Sequence, residues 1–279
     1  MRLAFHPTLV RGPRLGLRER AALATACGYG ALDCGHQELT PETAEALARA
    51  GLELGMVGGI VGTSPLAAAD DFARGLEGLT ARAKAAAGLG ARVTGVVLPN
   101  RSALEPTTAR RLVVERLRRI GPELGEAGIA LAVEFIGVRT LRPELPHPFC
   151  QDYPEFLGLL EDSGCRNVGM LLDSYHWHAA GVTRAQVEAT PPHRIVHLHV
   201  NDCKPGPLAE IQDADRLIPG EGVIDLPGWF AAVAATGFAG CVAPEVLGPR
   251  LQALSSEEAA TACRAGMLRA MQAAGVPVS

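Results

Sequence analysis

Four side chains that can bind a cation or move a proton stand at the ends of successive apolar runs. Glu134 ends ALAVE, Asp173 ends GMLLD, His199 ends IVHLH and Glu245 ends CVAPE. Three carboxylates at one site would repel one another unless a cation lay between them. Oxygen ligands with one imidazole suit Mn²⁺, Mg²⁺ or Co²⁺, with Mn²⁺ as our first expectation and Zn²⁺ as an alternative. We therefore expect one divalent metal ion at these four residues.

Each of these residues also has an ordinary structural role open to it. Asp173 could cap the helix that follows it, and Glu134 could pair with Arg139. Glu245 could be a carboxylate at the rim, and His199 a hydrogen-bonded core histidine. Each role explains one residue, but all four would have to coincide at four successive run ends. A shared site explains them together.

The elements that must position these residues follow a strand–helix rhythm. Strands are predicted at 3–5, 31–34, 52–57, 93–98, 129–135, 168–173, 194–200 and 241–246. Helices are predicted at 15–27, 41–50, 66–87, 106–127, 153–162, in a short stretch after 173, at 226–236 and at 256–274. Continuous apolar runs are typical of strands buried on both faces in a parallel sheet. We predict an α/β protein with one domain over 1–279, a (β/α)₈ TIM barrel, whose active sites lie at the carboxyl ends of strands. A doubly wound sheet is the fallback, although no Gly-rich nucleotide loop follows the first strand.

Composition narrows the class of partner. The 279 residues are 48% hydrophobic and carry a net charge of −4, which predicts neither a nucleic-acid nor an anionic-membrane surface. No apolar run is long enough to span a bilayer, and no signal peptide is recognisable at the N-terminus. Seven cysteines without a CxxC pair indicate reduced thiols and a cytoplasmic protein. We expect a small-molecule substrate, and a homo-oligomer is left open because no stripe marks an interface.

Several motifs lie in the second half of the chain. They are LAVEFIG, VGMLLDSYHWHAAG, RIVHLHVND, RLIPGEGVIDLPGWFAAV and PEV, within about residues 129–247. Together they resemble the xylose isomerase-like TIM barrel superfamily of sugar (phosphate) isomerases and epimerases. The resemblance is greatest to the branch with inosose isomerases and dehydratases, ketose 3-epimerases and hydroxypyruvate isomerase. The first half matches only in its barrel rhythm.

The resemblance implies roles for particular residues. The metal would be held by Glu134, Asp173, His199 and Glu245, and the two glutamates would also act as acid and base. His176 of the DxxH pattern and Arg216 of RLIPGEG would touch substrate. Trp177 and His6 are further candidates for substrate contact, although Trp177 could equally pack the short helix. We expect His197, one layer deeper than His199, to support the site or pack. Glu38, near the end of the second strand, has no secure counterpart.

The functional hypothesis is a metal-dependent isomerase or epimerase acting on a keto-sugar or keto-inositol by proton transfer through an enediolate. A dehydratase of a keto-cyclitol such as inosose or dehydroshikimate is the alternative, and an abasic-site endonuclease or a non-catalytic barrel is more remote. The Gly-rich segment 55–62 is either a flexible loop or a phosphate loop. Arg142, His147 and Arg216 could bind a phosphate or carboxylate, which leaves phosphorylated and free substrates both open.

Overall fold

Eight parallel strands form one sheet that curls into a nearly closed barrel in the computed structural model, which describes residues 1–278. The strands are β1 (Arg2–Phe5), β2 (Ala31–Gly35), β3 (Glu53–Gly58), β4 (Val93–Leu98), β5 (Ala130–Phe135), β6 (Val168–Asp173), β7 (Ile195–Val200) and β8 (Cys241–Pro244). They are hydrogen-bonded in the order β3, β2, β1, β8, β7, β6, β5, β4, and β3 also lies beside β4. The predicted (β/α)₈ TIM barrel is confirmed, whereas the bounds 1–279 for the domain stay a prediction.

Helices surround the barrel, and several of them begin at a side-chain cap. They are α1 (Leu17–Ala26), α2 (Pro41–Arg49), α3 (Ala69–Leu76), α4 (Leu79–Gly88), α5 (Pro106–Gly125), α6 (Tyr153–Asp162), α7 (Ser174–Ala179), α8 (Arg184–Glu188), α9 (Leu226–Ala235), α10 (Pro249–Gln252) and α11 (Ser256–Ala273). The side chains of Thr40, Asp152 and Ser255 accept N–H groups in the first turns of α2, α6 and α11. No helix in residues 1–278 combines the length and apolar character needed to cross a membrane.

One predicted helix is wrong in its continuity. The alanine-rich stretch 66–87 is divided into α3 and α4, and Gly78 at the break has φ of +65°. A left-handed residue ends a helical path, and glycine adopts that conformation without a Cβ clash. The side chain of Arg82 donates to the carbonyl of Glu77, which ties the start of α4 back to the break.

The barrel interior mixes apolar and polar side chains. Every residue of β6 is buried, as the unbroken apolar run predicted. Deeper inside, Thr94 Oγ1 donates to the carbonyl of Val57 at 2.7 Å, and Asp33 Oδ1 accepts from the N–H of Met56 at 2.7 Å. His197 Nε2 lies 3.1 Å from Asp33 Oδ2. These pairings satisfy polar groups that would otherwise be costly to bury.

Two long loops cover the carboxyl ends of the strands. Segment 136–152 follows β5 and is held by a short antiparallel pairing of Arg101–Ser102 with His147–Pro148. Asn100 Nδ2 adds a hydrogen bond of 2.5 Å to the carbonyl of Val138. The second loop, 201–225, follows β7 and is joined to itself by backbone hydrogen bonds between Asp202 and Leu217. Both loops are thereby fixed over the barrel mouth.

Candidate metal centre and active site

The four residues singled out by their positions at strand ends come together. Glu134 is the fifth residue of β5, Asp173 ends β6, His199 is the fifth residue of β7, and Glu245 follows β8 directly. One ligand atom from each of the four lies within 4.8 Å of the others. Neighbouring parallel strands thus deliver three carboxylates and one imidazole to the same end of the barrel, as the positions of the residues predicted.

Glu134 and His199 supply the donor atoms of this cluster that have no protein partner in residues 1–278, whereas the carboxylates of Asp173 and Glu245 accept hydrogen bonds from Arg216. His199 Nδ1 lies 3.3 Å from Glu245 Oε2 and 3.9 Å from Glu134 Oε1. Within the described chain, Glu134 Oε1 and both ring nitrogens of His199 are buried and lack a hydrogen-bond partner. Buried polar atoms without partners are unfavourable, and a divalent cation would satisfy the Glu134 oxygen and the unprotonated ring nitrogen of His199. The residues present therefore fit a divalent ion, and this donor set does not select one metal.

Two of the structural alternatives can be compared with the geometry. Asp173 does cap α7, since its Oδ1 accepts from the N–H of Tyr175 at 2.6 Å and of His176 at 3.2 Å. One oxygen of the same carboxylate lies within 4.8 Å of ligand atoms of Glu134, His199 and Glu245, so capping and ligation are compatible. Arg139 is exposed and forms no ion pair with Glu134 among the residues described.

Arg216 is the main cationic group in the site. Its side chain is only 2% exposed. Nη1 donates to Asp173 Oδ2 at 3.0 Å and to Glu245 Oε2 at 2.6 Å, while Nη2 donates to Asp213 Oδ1 at 2.7 Å. His176 Nε2 lies 3.2 Å from the same Nη2. The guanidinium therefore orients two of the expected metal ligands, which adds to the substrate contact predicted for it.

Burial and neighbouring charges separate the two glutamates. Burial, reinforced by the nearby carboxylate of Glu245, raises the pKa of Glu134 to about 8. Burial also opposes ionisation of Glu245, but His199 and Arg216 outweigh it and hold its pKa well below the ordinary value. Burial alone would lower the pKa of His199, whereas the carboxylate of Glu245 raises it to about 9. The protein thus gives Glu134 and Glu245 different proton affinities.

A cavity of about 310 Å³ opens onto this cluster. Glu134, Glu245, His176 and Arg216 line it, together with apolar side chains of the barrel mouth such as Val97. Its position gives a small polar molecule access to both glutamates. Such a cavity, apolar with a few convergent polar groups, is typical of a small-molecule site.

The other predicted substrate contacts lie apart from the cavity wall. His6 stands beside His199, with ring centroids 4.9 Å apart, and its Nε2 is 3.9 Å from Glu245 Oε1. Burial lowers the pKa of His6 to about 4, which favours a neutral imidazole. Trp177 is buried in α7 and is not among the residues that line the cavity. Substrate contact by His6 or Trp177 stays a prediction.

Several residues of the site were missed by the sequence analysis. Asp213 lines the cavity and binds Arg216, and only its position three residues before Arg216 could have indicated it. Asn201 Nδ2 donates to Asp173 Oδ2 at 3.1 Å and to the carbonyl of Glu245 at 3.1 Å. Asp33 supports His197 from the opposite side of the barrel, and no local pattern marks a pair so distant in sequence.

Comparison with known proteins identifies relatives in sequence and in fold. The family model described as xylose isomerase-like TIM barrel matches residues 21–271. The inosose isomerase of Halalkalibacterium halodurans is 29% identical over 169 residues, or 60% of this chain and 57% of that protein. The inosose isomerase of Bacillus subtilis is 31% identical over 134 residues, or 47% of this chain and 45% of that protein. The chain thus spans about half the length of the curated relatives it matches.

Solved structures are similar over nearly the whole chain. A xylose isomerase domain protein from Alicyclobacillus acidocaldarius has a TM-score of 0.88 and 29% identity, with 99% of both chains covered. The IolI protein with a bound zinc atom has a TM-score of 0.81 and 21% identity, with 98% of each covered. A D-psicose 3-epimerase studied with D-fructose has a TM-score of 0.76 and 14% identity, covering 99% of this chain and all of that one. The last two show the fold alone. The match of the family model establishes that this chain belongs to the xylose isomerase-like TIM barrel family.

Proposed function

We propose that this chain is a divalent-metal-dependent isomerase or epimerase that acts on a keto-sugar or a keto-inositol. One observation carries the proposal: Glu134 and Glu245 line the same cavity and also belong to a cluster of possible metal ligands. Asp173 and His199 complete that cluster and could bind the same ion. The name of the relatives in sequence, inosose isomerase, supports this substrate class and reaction type.

The two glutamates would carry the proton. A bound divalent ion would supply Lewis acidity toward a substrate carbonyl and so acidify the neighbouring C–H. One carboxylate takes that proton, and the other returns a proton to the substrate. Both are anchored on rigid elements, Glu134 within β5 and Glu245 directly after β8. Return to the same carbon from the other face gives an epimer. Return to the former carbonyl carbon, with the neighbouring hydroxyl proton passing to the former carbonyl oxygen, gives an isomer.

Other residues would hold the acid–base pair in place. Arg216 fixes the Glu245 carboxylate through a hydrogen bond of 2.6 Å. His176 Nε2 lies 3.9 Å from Glu134 Oε1 and lines the cavity, where it can donate to or accept from a substrate hydroxyl. Glu134, Asp173 and His199 are buried, and electrostatic interactions are stronger away from bulk water.

The proposal is tested by proton–deuteron exchange on a panel of keto compounds. Scyllo-inosose, D-psicose and D-fructose are incubated in D₂O with protein loaded with Mn²⁺, and deuterium next to the carbonyl is followed by NMR. We expect exchange on at least one compound, and we expect chelation to slow it by about 100-fold or more, because the ion acidifies the C–H bond.

Restoring the ion provides the control. Exchange should return when Mn²⁺ is added back to the chelated protein. A product that absorbs in the ultraviolet as an enone would instead identify the dehydratase alternative. Exchange that persists at the full rate after complete metal removal would contradict the proposal, as would the absence of exchange with all three compounds on the protein loaded with Mn²⁺.

A further inference from the structure

Three side chains were candidates for binding an anionic substrate group, and the structure separates them. Arg216 is committed to Asp173, Glu245 and Asp213. His147 Nε2 lies 3.2 Å from Glu105 Oε1. Arg142 differs, because its guanidinium has no carboxylate within 4.0 Å in the described chain, yet it lines the catalytic cavity. Arg142 is therefore the cationic group available to a ligand.

A second cavity of about 200 Å³ adjoins the catalytic one. The two share three wall residues, Val97, Pro99 and Arg142. Val97 is the register partner of Glu134 across the β4–β5 pairing, so the second cavity begins one strand away from the proposed acid–base pair. A single elongated molecule could occupy both.

The Gly-rich segment forms the far wall of this second cavity. Gly59, Gly62, Thr63 and Ser64 line it, and Gly62 has φ of +74°. The segment is fixed: Arg82 Nε donates to the carbonyl of Ile60 at 2.9 Å. The N–H groups of Gly62 and Thr63 have no protein acceptor in residues 1–278. Backbone N–H groups around a left-handed residue form a concave donor set suited to anions.

Charge divides the combined space into two ends. The catalytic end carries the carboxylates of Glu134, Asp213 and Glu245. No carboxylate is among the residues that line the second cavity, where Arg142 supplies the only formal charge. At the catalytic end the charge of Arg216 is taken up by Asp213 and Glu245, so an anionic group there would depend on the metal, whereas the second cavity offers it Arg142 without a competing carboxylate among its lining residues.

The backbone at Arg142 is held in an unusual conformation. Its φ is +54°, in the left-handed region that residues with a Cβ rarely adopt. Its carbonyl accepts from the N–H of Leu145 at 3.1 Å, and the carbonyl of Leu145 accepts from Arg101 Nε at 2.7 Å. Strain of this kind persists where surrounding contacts impose it, and it is concentrated at ligand sites.

We propose that the second cavity is a subsite for an anionic group of the substrate, a phosphate or a carboxylate, bound by Arg142 and the N–H groups of Gly62 and Thr63. The reacting carbonyl end lies at Glu134 and Glu245, and the anionic group lies at the opposite end. The assignment of the two ends rests on the proposed function, while anion binding by this cavity does not.

Non-reacting probes test the subsite without requiring turnover. D-Glucitol, D-glucitol 6-phosphate and D-gluconate are titrated calorimetrically into the protein at constant metal content. Because a charge-assisted hydrogen bond contributes about 1.5–3 kcal/mol, we expect at least one anionic probe to bind about 10- to 100-fold more tightly than D-glucitol. The phosphate and the carboxylate probes distinguish the two sources of charge.

Arg142→Gln should abolish this preference, so that the anionic probes bind that variant no more tightly than D-glucitol does, and Arg142→Lys should retain part of the preference. The matched control is Arg139→Gln, because Arg139 is exposed on the same loop and lines neither cavity. Equal binding of all three probes by the unaltered protein would overturn the subsite. A preference that survives Arg142→Gln in a folded protein would overturn it too, since it would place the anion elsewhere, such as on the metal.

The outcome is separable from that of the proposed function. An anion preference that depends on Arg142, together with no exchange on any ketose, would leave the subsite standing and remove the isomerase or epimerase. Exchange on a neutral ketose with no anion preference would remove the subsite and leave the isomerase or epimerase standing.

Discussion

At the scale of single residues, Asp202 holds the conformation of the loop that carries Arg216. Its buried carboxylate accepts four backbone N–H groups at 2.9 Å, those of Cys203, Gly220, Gly222 and Ile224. The loop that carries Arg216 is therefore folded around one side chain. A Cβ on Gly222 would lie 2.2 Å from the carbonyl of Cys203, so this close approach needs glycine. Arg216 in turn orients Asp173 and Glu245.

Loss of the Asp202 carboxylate should be costly. In Asp202→Ala, four N–H groups lose their acceptor, and we expect the free energy of unfolding, measured in urea, to fall by about 2–4 kcal/mol. Asp215→Asn is the matched control, because Asp215 forms only an exposed ion pair with Lys204 at 3.2 Å and its loss should cost at most about 1 kcal/mol. Similar losses in the two variants would show that Asp202 does not organise the loop.

At the scale of elements, strands were more predictable than breaks between helices. Apolar runs such as 168–173 are long, buried and bounded, so their type and ends follow from hydrophobicity. The break at Gly78 does not follow from the hydrophobic pattern, because helices tolerate single glycines and the pattern continues on both sides. Contacts made by Arg82 with Ile60 and with the carbonyl of Gly75 at 2.6 Å stabilise the break, and such tertiary contacts leave no local pattern.

Substitution by alanine should change the free energy of unfolding differently at the two ends of α4. Gly78 has φ of +65°, so Gly78→Ala should lower the free energy of unfolding by about 1 kcal/mol. Gly88 ends α4 and its Cβ would meet nothing within 4 Å, so Gly88→Ala should be neutral or stabilise by up to about 1 kcal/mol. Urea denaturation of both variants measures the difference. Equal effects of the same sign would contradict the account of the break.

At the scale of the whole molecule, the barrel brings the carboxyl ends of successive strands together at one site. Glu134, Asp173, His199 and Glu245 were predictable as a group because a parallel barrel places successive strand ends side by side. The pairing of Asp33 with His197 was not, since β2 and β7 meet only across the barrel interior. The shared cavity of the Gly-rich segment and Arg142 was not predictable either. Each feature is a weak signal alone, and their proximity depends on the conformation of two loops.

The most direct test of the two-glutamate mechanism is deuterium exchange by Glu134→Gln and Glu245→Gln, with metal content measured in each variant. On a ketose that the unaltered protein exchanges, both metal-loaded variants should be slower by about 100-fold or more, because each loses one proton carrier. Glu144→Gln, an exposed carboxylate on the loop over the mouth, is the control and should exchange normally. A folded, metal-loaded Glu134→Gln or Glu245→Gln that exchanges at the unaltered rate would contradict the account.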